Sequence, residues 1–404
     1  MEKIKKIFLL FLLQLFLQIK AANNLLVLNN LVQNNKSNFS DINLFVIQHI
    51  KENSVEFIKQ LKNSGFKKIT VIGKPYSVND NALKNMNEYA EIIIPTNIEL
   101  ENLVIIDRVL KKVIQNKNEK FMCLDLGGYF SKYFESKKIS PTNCLGIVED
   151  TMNGIWFDPN KYIPRVPLLS VASSLIKDYI EHYFVAKAIV RNSENILINE
   201  FQQTLVAKNI LICGYGRIGE KIASIVKKDG NIFIHDINPL KLLKASIDGF
   251  KIFNQKNDFE KIDIVIGITG NIVFKQELAK FKDKVILING STRQKEYDFE
   301  FIKDDIETKQ ELKNYTVYNL KNNKNIYLLA NGFPVNFWNT ESTPEFCLDA
   351  VFSTMYKLLQ ELLIQKLNLG YYPSELFFLD KEKEVANIWL NKYLDIKNNY
   401  EQQI

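Results

Sequence analysis

Residues 209–236, NILICGYGRIGEKIASIVKKDGNIFIHD, restrict the fold more than any other stretch of this chain. An apolar run over 210–213 predicts a buried strand, and Gly214, Gly216 and Gly219 follow it at once in a G-x-G-x-x-G spacing. A helix to about 228 and a second apolar strand ending at Asp236 complete the unit. In such a unit the first glycine permits the tight turn, the second lets the backbone approach a pyrophosphate, and the third lets helix and strand pack closely. The helix N-terminus directs free N–H groups and its dipole at phosphates. Asp236, twenty-two residues after Gly214, stands where a carboxylate accepts from a ribose 2′-hydroxyl and repels a 2′-phosphate. The unit predicts dinucleotide binding, with NAD preferred over NADP.

At 404 residues the chain is long enough for two or three domains. Its 46% hydrophobic and 24% charged residues fit an ordinary globular protein. The net charge of +6 is spread over many Lys-rich stretches, with no basic cluster interleaved with aromatics, which argues against nucleic-acid binding. Cys123, Cys144, Cys213 and Cys347 are scattered without metal-ligand spacing, so buried, reduced thiols and no metal are expected. The N-terminus, MEKIKKIFLLFLLQLFLQIKAANN, joins a basic start to an apolar stretch and small residues, as a secretory signal does. Gln14 and Gln18 interrupt that stretch, and it is short for a membrane span. The alternative is an N-terminal helix packed on the first domain. Dependence on NAD favours the cytoplasm, and no membrane partner is expected.

Between 42 and 130 strands and helices alternate, with strands at 42–48, 69–73, 90–95 and 121–125 and helices at 54–63, 82–86 and 103–114. That rhythm predicts parallel βαβ units. Pro141 and the stretch 159–167 mark irregular chain, and a long helix over 174–192 leads into the dinucleotide unit. Further strands are expected at 262–268, 285–289 and 326–329, then a helix over 345–367 and a polar, helical end. The fold class is α/β: two Rossmann-like, doubly wound parallel-sheet domains, plus a short helical C-terminal segment. The expected boundaries are 1–40 for the N-terminal segment, 41–185 for the first domain with 342–370 returning to it, 186–341 for the NAD domain, and 371–404 for the end.

Five ordered segments then resemble the adenosylhomocysteinase (S-adenosylhomocysteine hydrolase) family. GIVEDTMNGIW is similar to its Gly-x-x-Glu-Glu-Thr-Thr-Thr-Gly, and VPLLSVASSLIKDYIEH to its Pro-x-x-Asn-Val-Asn-Asp-Ser-x-x-Lys-x-x-x-Asp-Asn. HDINPLKLLKASIDGF is similar to Thr-Glu-Ile-Asp-Pro with Ala and Gly-Phe/Tyr, ITGN to Thr-Thr-Gly-Asn, and LLANGFPVNF to Leu-Ala-Glu-Gly-Arg-x-Val-Asn-Leu. The resemblance implies a substrate domain and an NAD domain with active sites at the cleft between them. It also implies a reaction in which tightly held NAD oxidises a ribose 3′-hydroxyl before homocysteine is eliminated, water adds and the ketone is reduced.

Carried residue by residue, the resemblance places Lys177 and Glu181 at the Lys and Asp that handle the 3′-hydroxyl, Asp150 at a sugar-binding Glu, and His49 at a catalytic His. Lys177 and Glu181 are i,i+4 on the predicted helix and share a face; a surface ion pair is the alternative reading. Cofactor contacts fall on Thr151, Met152, Asn153 and His182, on Gly214, Gly216, Arg217, Ile218 and Gly219, and on Asp236 and Lys241. The remainder fall on Thr269, Gly270 and Asn271, on Asn289 and Gly290, and on Asn336.

Other family positions are replaced. Leu126 stands for a catalytic Asp, Ser291 for a catalytic His, Ala186 for a Cys, and Ser342-Thr343-Pro344 for Gly-His-Pro. Groups for hydride transfer and sugar holding survive while groups for elimination and hydration do not, and one lost acid–base group typically costs 10²–10⁴-fold. Three functions are compatible with this pattern: an NAD-dependent enzyme acting on a nucleoside-like or other secondary alcohol, a hydrolase whose acid–base roles are met by other groups, or a non-catalytic NAD-binding regulator. The partner expected is a small nucleoside-like substrate; the resemblance implies a homo-oligomer, since the family is typically tetrameric, and without a counterpart of the family's C-terminal tail a dimer is expected as much as a tetramer.

Overall fold

The structure is a computed structural model that describes residues 25–34, 36–291, 296–338 and 343–396. The signal-like segment and Ser342 lie outside the described residues. The chain divides into two compact units: residues up to Tyr179 together with those from Pro344 on, and Ile180–Thr343.

In the first unit six strands form in chain order: β1 Ile42–Ile50, β2 Lys68–Val78, β3 Glu91–Ile93, β4 Lys120–Asp125, β5 Cys144–Glu149 and β6 Leu168–Ser170. They lie in the order β6-β5-β4-β1-β2-β3, all parallel, and Tyr371–Pro373 from the returning chain adds an outer strand beside β6. The apolar runs of β1 and β4 are buried on both faces, as a parallel sheet covered by helices requires. The strand order reverses between β4 and β1, which makes the carboxyl ends of those strands the expected ligand crevice. The expected helical end is present as Ser374–Phe377 and Leu379–Leu394, and the short strand Tyr371–Pro373 that precedes it was not expected. Periodicity could not show a three-residue strand whose pairing is supplied by a distant partner.

Helix Glu345–Ile364 is buried along most of its length, and its Asp349 carboxylate accepts the N–H groups of Val27 and Leu28 at 2.8 and 3.0 Å and the Tyr393 hydroxyl at 2.8 Å. That caps the first turn of helix Leu26–Gln33 from across the unit, where a carboxylate also meets the positive end of the dipole.

The second unit holds β7 Asn209–Cys213, β8 Asn231–His235, β9 Lys251–Ile252, β10 Ile264–Gly267, β11 Val285–Asn289, β12 Ile306–Glu311, β13 Tyr315–Leu320 and β14 Asn325–Leu329. Their order is β12-β13-β14-β11-β10-β7-β8-β9, and the reversal between β7 and β10 marks its ligand crevice. β12 and β13 pair antiparallel, which no sequence period announced. β12 reads IETKQE and is nearly all exposed, so it carries no apolar signal, whereas β13 alternates buried and half-buried residues in the manner of a one-sided sheet.

All four cysteines are buried free thiols. Among the described residues, no helix is long and apolar enough to cross a membrane, and no cluster of three or more His, Cys, Asp or Glu could hold a metal.

Candidate functional site

The carboxyl ends of β4 and β5 bring two acids side by side, since Asp125 and Glu149 are directly paired in register. Both are fully buried. The Asp125 carboxylate accepts the N–H groups of Tyr129 and Phe130 at 3.2 and 2.8 Å. Glu149 accepts the N–H groups of Gly127 and Gly128 at 3.0 Å each, and the N–H and hydroxyl of Thr151 at 2.8 Å each. Gly154 lies against Glu149, and a Cβ there would overlap the carboxyl group. The two acids thus fix both loops that leave the sheet here. Burial pushes Asp125 up to about 6; burial and then the Asp125 charge push Glu149 up to about 8.

Asp150 follows β5 and meets Lys177. The Lys177 ammonium donates to the Asp150 carboxylate and to its carbonyl oxygen, both at 2.7 Å, with side-chain exposures of 7% and 14% for the lysine and the acid. Lys177 is buried and pairs with Asp150. Residues Lys177–Glu181 form a π-helical turn, not the regular α-helix expected, at the start of the helix His182–Phe201. Such single π turns inside helices recur at functional sites. Lys177 belongs to the first unit, while half-buried Glu181 and buried His182 belong to the second.

His49 sits near the end of β1, and burial, then the ammonium groups of Lys74 and Lys51, push its imidazole down to about 3, so it is neutral at neutral pH. Thr151 is half-buried, Met152 is 59% exposed, and Met152 and Asn153 lie in the short 3₁₀ turn Met152–Gly154. Leu126 is buried in the apolar core beside Phe130 and Tyr133 and carries no proton to exchange.

The raised carboxyls give this unit a stability that depends on pH. Each keeps in the fold a proton that the unfolded chain releases near its ordinary value, so the stabilisation is intact at low pH and is lost as pH climbs through about 6 for Asp125 and about 8 for Glu149. Asp349, pushed up to about 6 by burial, acts in the same sense. His49 acts oppositely, adding stability as pH rises, but only between about 3 and 6.5. Above that range Glu149 remains, at up to about 1.4 kcal/mol per pH unit until its value of about 8 is passed. The calorimetric Tm is expected to fall by several degrees between about pH 6.5 and 8.5; a flat or rising Tm would contradict the buried-acid assignment.

In the second unit the glycine loop after β7 shows three distinct backbone demands. Gly214 has φ +100°, in the left-handed region that favours glycine. A Cβ on Gly219 would overlap the Gly214 carbonyl oxygen, whereas a Cβ on Gly216 would project into open space. The Asp236 carboxylate accepts the N–H groups of Tyr215 at 2.7 Å and Asn238 at 2.8 Å, tying the loop to the end of β8. Arg217 opens helix Arg217–Val226 with Ile218 beside it, and the buried Arg217 Nη1 has no hydrogen-bond partner among the described residues. Open space at Gly216, an unmet guanidinium nitrogen at a helix N-terminus and a carboxylate with lone pairs to spare match a dinucleotide's pyrophosphate and ribose. The residues fit NAD. Lys241 lies half-buried in the next helix, Pro239–Ile247.

Across the same crevice Thr269, Gly270 and Asn271 follow β10. Buried Glu296, which nothing in the sequence singled out, accepts the Thr269 N–H at 2.7 Å, the Gly270 N–H at 2.5 Å and the Thr269 hydroxyl at 2.9 Å. Asn289 ends β11, donating to the Gly332 carbonyl at 2.8 Å and accepting from the Ser291 N–H and hydroxyl at 2.8 and 3.0 Å. Gly290 packs where a Cβ would crowd Ile189 and Ile268, and buried Asn336 lies in the 3₁₀ turn Val335–Phe337. Ala186, in the long helix, is fully buried.

Comparison with known proteins agrees with this geometry. Residues 190–342 match the family described as S-adenosyl-L-homocysteine hydrolase, NAD binding domain. The adenosylhomocysteinase of Sulfolobus acidocaldarius is 27% identical over 62% of this chain and 61% of its own length. That of Sulfurisphaera tokodaii is 25% identical over 87% of this chain and 84% of its own length, and that of Thermotoga maritima 25% identical over 76% of each. Among solved structures, the dipicolinate synthase A chain of Bacillus subtilis is 14% identical with a TM-score of 0.45, covering 82% of this chain and 99% of that one. The second unit is an NAD-binding Rossmann domain, and the chain is similar over most of its length to adenosylhomocysteinases.

Proposed function

We propose that this protein is an NAD-dependent enzyme that oxidises a secondary hydroxyl of a nucleoside-like substrate and does not carry out efficient elimination. The observation that carries this reading is the buried Lys177–Asp150 pair, held at 2.7 Å at the carboxyl end of the first sheet. Bound NAD supplies the hydride acceptor. Lys177, once its ammonium has released a proton to solvent, accepts the hydroxyl proton at Nζ as a neutral amine, positioned by the Asp150 carboxylate and carbonyl. The remaining carboxylate lone pairs of Asp150 accept from the sugar, and neutral His49 is a polar partner within the same unit. Within the second unit the cofactor contacts are His182, the glycine loop, Asp236, Lys241, Thr269, Gly270, Asn271, Asn289, Gly290 and Asn336.

Elimination of a thiol and addition of water need acid–base groups at the leaving atom. Leu126 offers none, and the Ser291 hydroxyl is committed to Asn289 and does not ionise near neutral pH. The test is to add S-adenosylhomocysteine and adenosine to the protein as purified with its NAD. A rise in absorbance at 340 nm without release of free thiol is the expected result. Thiol release at a rate matching the change at 340 nm would restore the hydrolase, and NAD that never changes redox state would leave a non-catalytic binding protein.

A further inference from the structure

The last helix of the chain closes back on the segment that carries Lys177. Glu382, in the first turn of helix Leu379–Leu394, is 2% exposed and stands 207 residues beyond Leu175, a group it bonds. One oxygen of its carboxylate accepts the Leu175 N–H at 2.8 Å and the Ile176 N–H at 3.4 Å, and the other accepts the Ser374 hydroxyl at 2.5 Å. Leu175 and Ile176 open the helix that runs into the π turn at Lys177. The Lys177 N–H, next in line, is accepted by the hydroxyl of fully buried Ser174 at 3.1 Å. The first N–H groups of a helix have no partner inside it. Here the first three are met by side chains, two of them by one distant acid.

Strand pairing brings the acid there. Strand Tyr371–Pro373 runs parallel to β6 with Pro373 opposite Ser170, so the chain leaves both strands at the same end of the sheet, towards Ser374 from one and Ser174 from the other. A carboxylate at a helix N-terminus answers the positive end of the dipole, which offsets the cost of burying it. A π turn gives up the regular i to i−4 bonds of its helix, so the hold on the turn before it decides where Lys177 stands. At its far end the Lys177 ammonium is held by the Asp150 carboxylate and carbonyl, both at 2.7 Å. Lys177 is thus gripped at its main chain as well as at its head.

We propose that Glu382 is a positioning residue for Lys177: by holding the Leu175 and Ile176 N–H groups it sets the main chain from which the lysine reaches Asp150 and the substrate hydroxyl. This rests on the hydroxyl-oxidising reading above and gives the C-terminal helix a part in the chemistry. The experiment compares the NAD-loaded full chain with Glu382→Met, similar in length but without an acceptor, and with Glu382→Gln, which keeps one. The readouts are the single-turnover rate at 340 nm with adenosine, and acetylation of individual lysines by acetic anhydride without substrate, mapped by mass spectrometry. Glu382→Met is expected to lower the saturated rate about tenfold or more while the half-saturating adenosine concentration stays within about threefold, since a 1 Å misplacement can cost about 10²-fold. Acetylation of Lys177 rises about fivefold or more as its turn opens, while that of Lys74, equally buried in the same unit, does not change. Glu382→Gln stays within about threefold of the parent in both readouts, because its amide oxygen still accepts an N–H. Unchanged acetylation of Lys177, a joint rise at Lys177 and Lys74, or a rate that Glu382→Met leaves near the parent's overturns the assignment. A rise confined to Lys177 in a protein whose NAD is never reduced keeps the hold of Glu382 on Lys177 and removes hydride transfer. Should Glu382→Met not fold, Ser374→Ala, which frees the carboxylate from its anchor, is expected to raise Lys177 acetylation about threefold, and no change there overturns the assignment.

Discussion

Lys177→Ala is expected to lower nucleoside-driven reduction of bound NAD by about 10²–10⁴-fold, the usual loss when a positioned proton-transfer group is removed. Lys177 is 6% exposed and makes two 2.7 Å contacts with Asp150, so its head has little freedom and its removal leaves that carboxylate without its cation. Lys177→Arg should rescue poorly, because a guanidinium keeps its charge but cannot release the proton near neutral pH. A purely structural lysine would behave differently, with Arg restoring much of the activity and the loss following the fall in Tm. The deciding measurements are the single-turnover rate at 340 nm and the NAD content of the variant by mass spectrometry. Content is expected to be unchanged, since the glycine loop and Asp236 lie in the second unit. An Ala variant within tenfold of the parent rate would remove Lys177 from the reaction.

Asp236→Ala should weaken NAD binding by well over tenfold. Its two oxygens hold the Tyr215 and Asn238 N–H groups, so the substitution loosens the glycine loop as well as removing acceptors for the ribose. Hydrogen bonds to a charged group are worth about 1.5–3 kcal/mol each, and 1.4 kcal/mol is already tenfold in affinity. Asp236→Asn separates the two effects: it retains an acceptor for one N–H but loses the charge that repels a 2′-phosphate, so preference for NAD over NADP should narrow. Equilibrium dialysis with both cofactors reads the outcome, and unchanged affinity for NAD in the Ala variant would show that the ribose lies elsewhere.

Much of the fold could be read from local pattern. The apolar runs that become β1, β4, β7, β10 and β11 are buried strands, and the three glycines after β7 each meet a separate steric demand, because strand burial and turn geometry depend on a few consecutive residues. The edges were less readable. β12 is polar and exposed, and the three-residue strand Tyr371–Pro373 exists only because β6, some two hundred residues earlier, offers its hydrogen bonds.

The same division runs through the candidate site. Lys177 and Asp150 were both visible as residues, but nothing in their spacing showed that they pair; the β5 loop and a π turn bring them together. Asp125, Glu149, Glu296 and Lys74 went unremarked, since a carboxylate or ammonium is ordinary in a sequence and becomes exceptional only when buried. An NAD-binding strand–glycine–helix–acid unit was determined by residue order alone, because its contacts close within thirty residues. Which acids lose water and which lysine meets Asp150 were decided by tertiary structure, because burial and charge pairing are set by neighbours that the chain brings together from far apart.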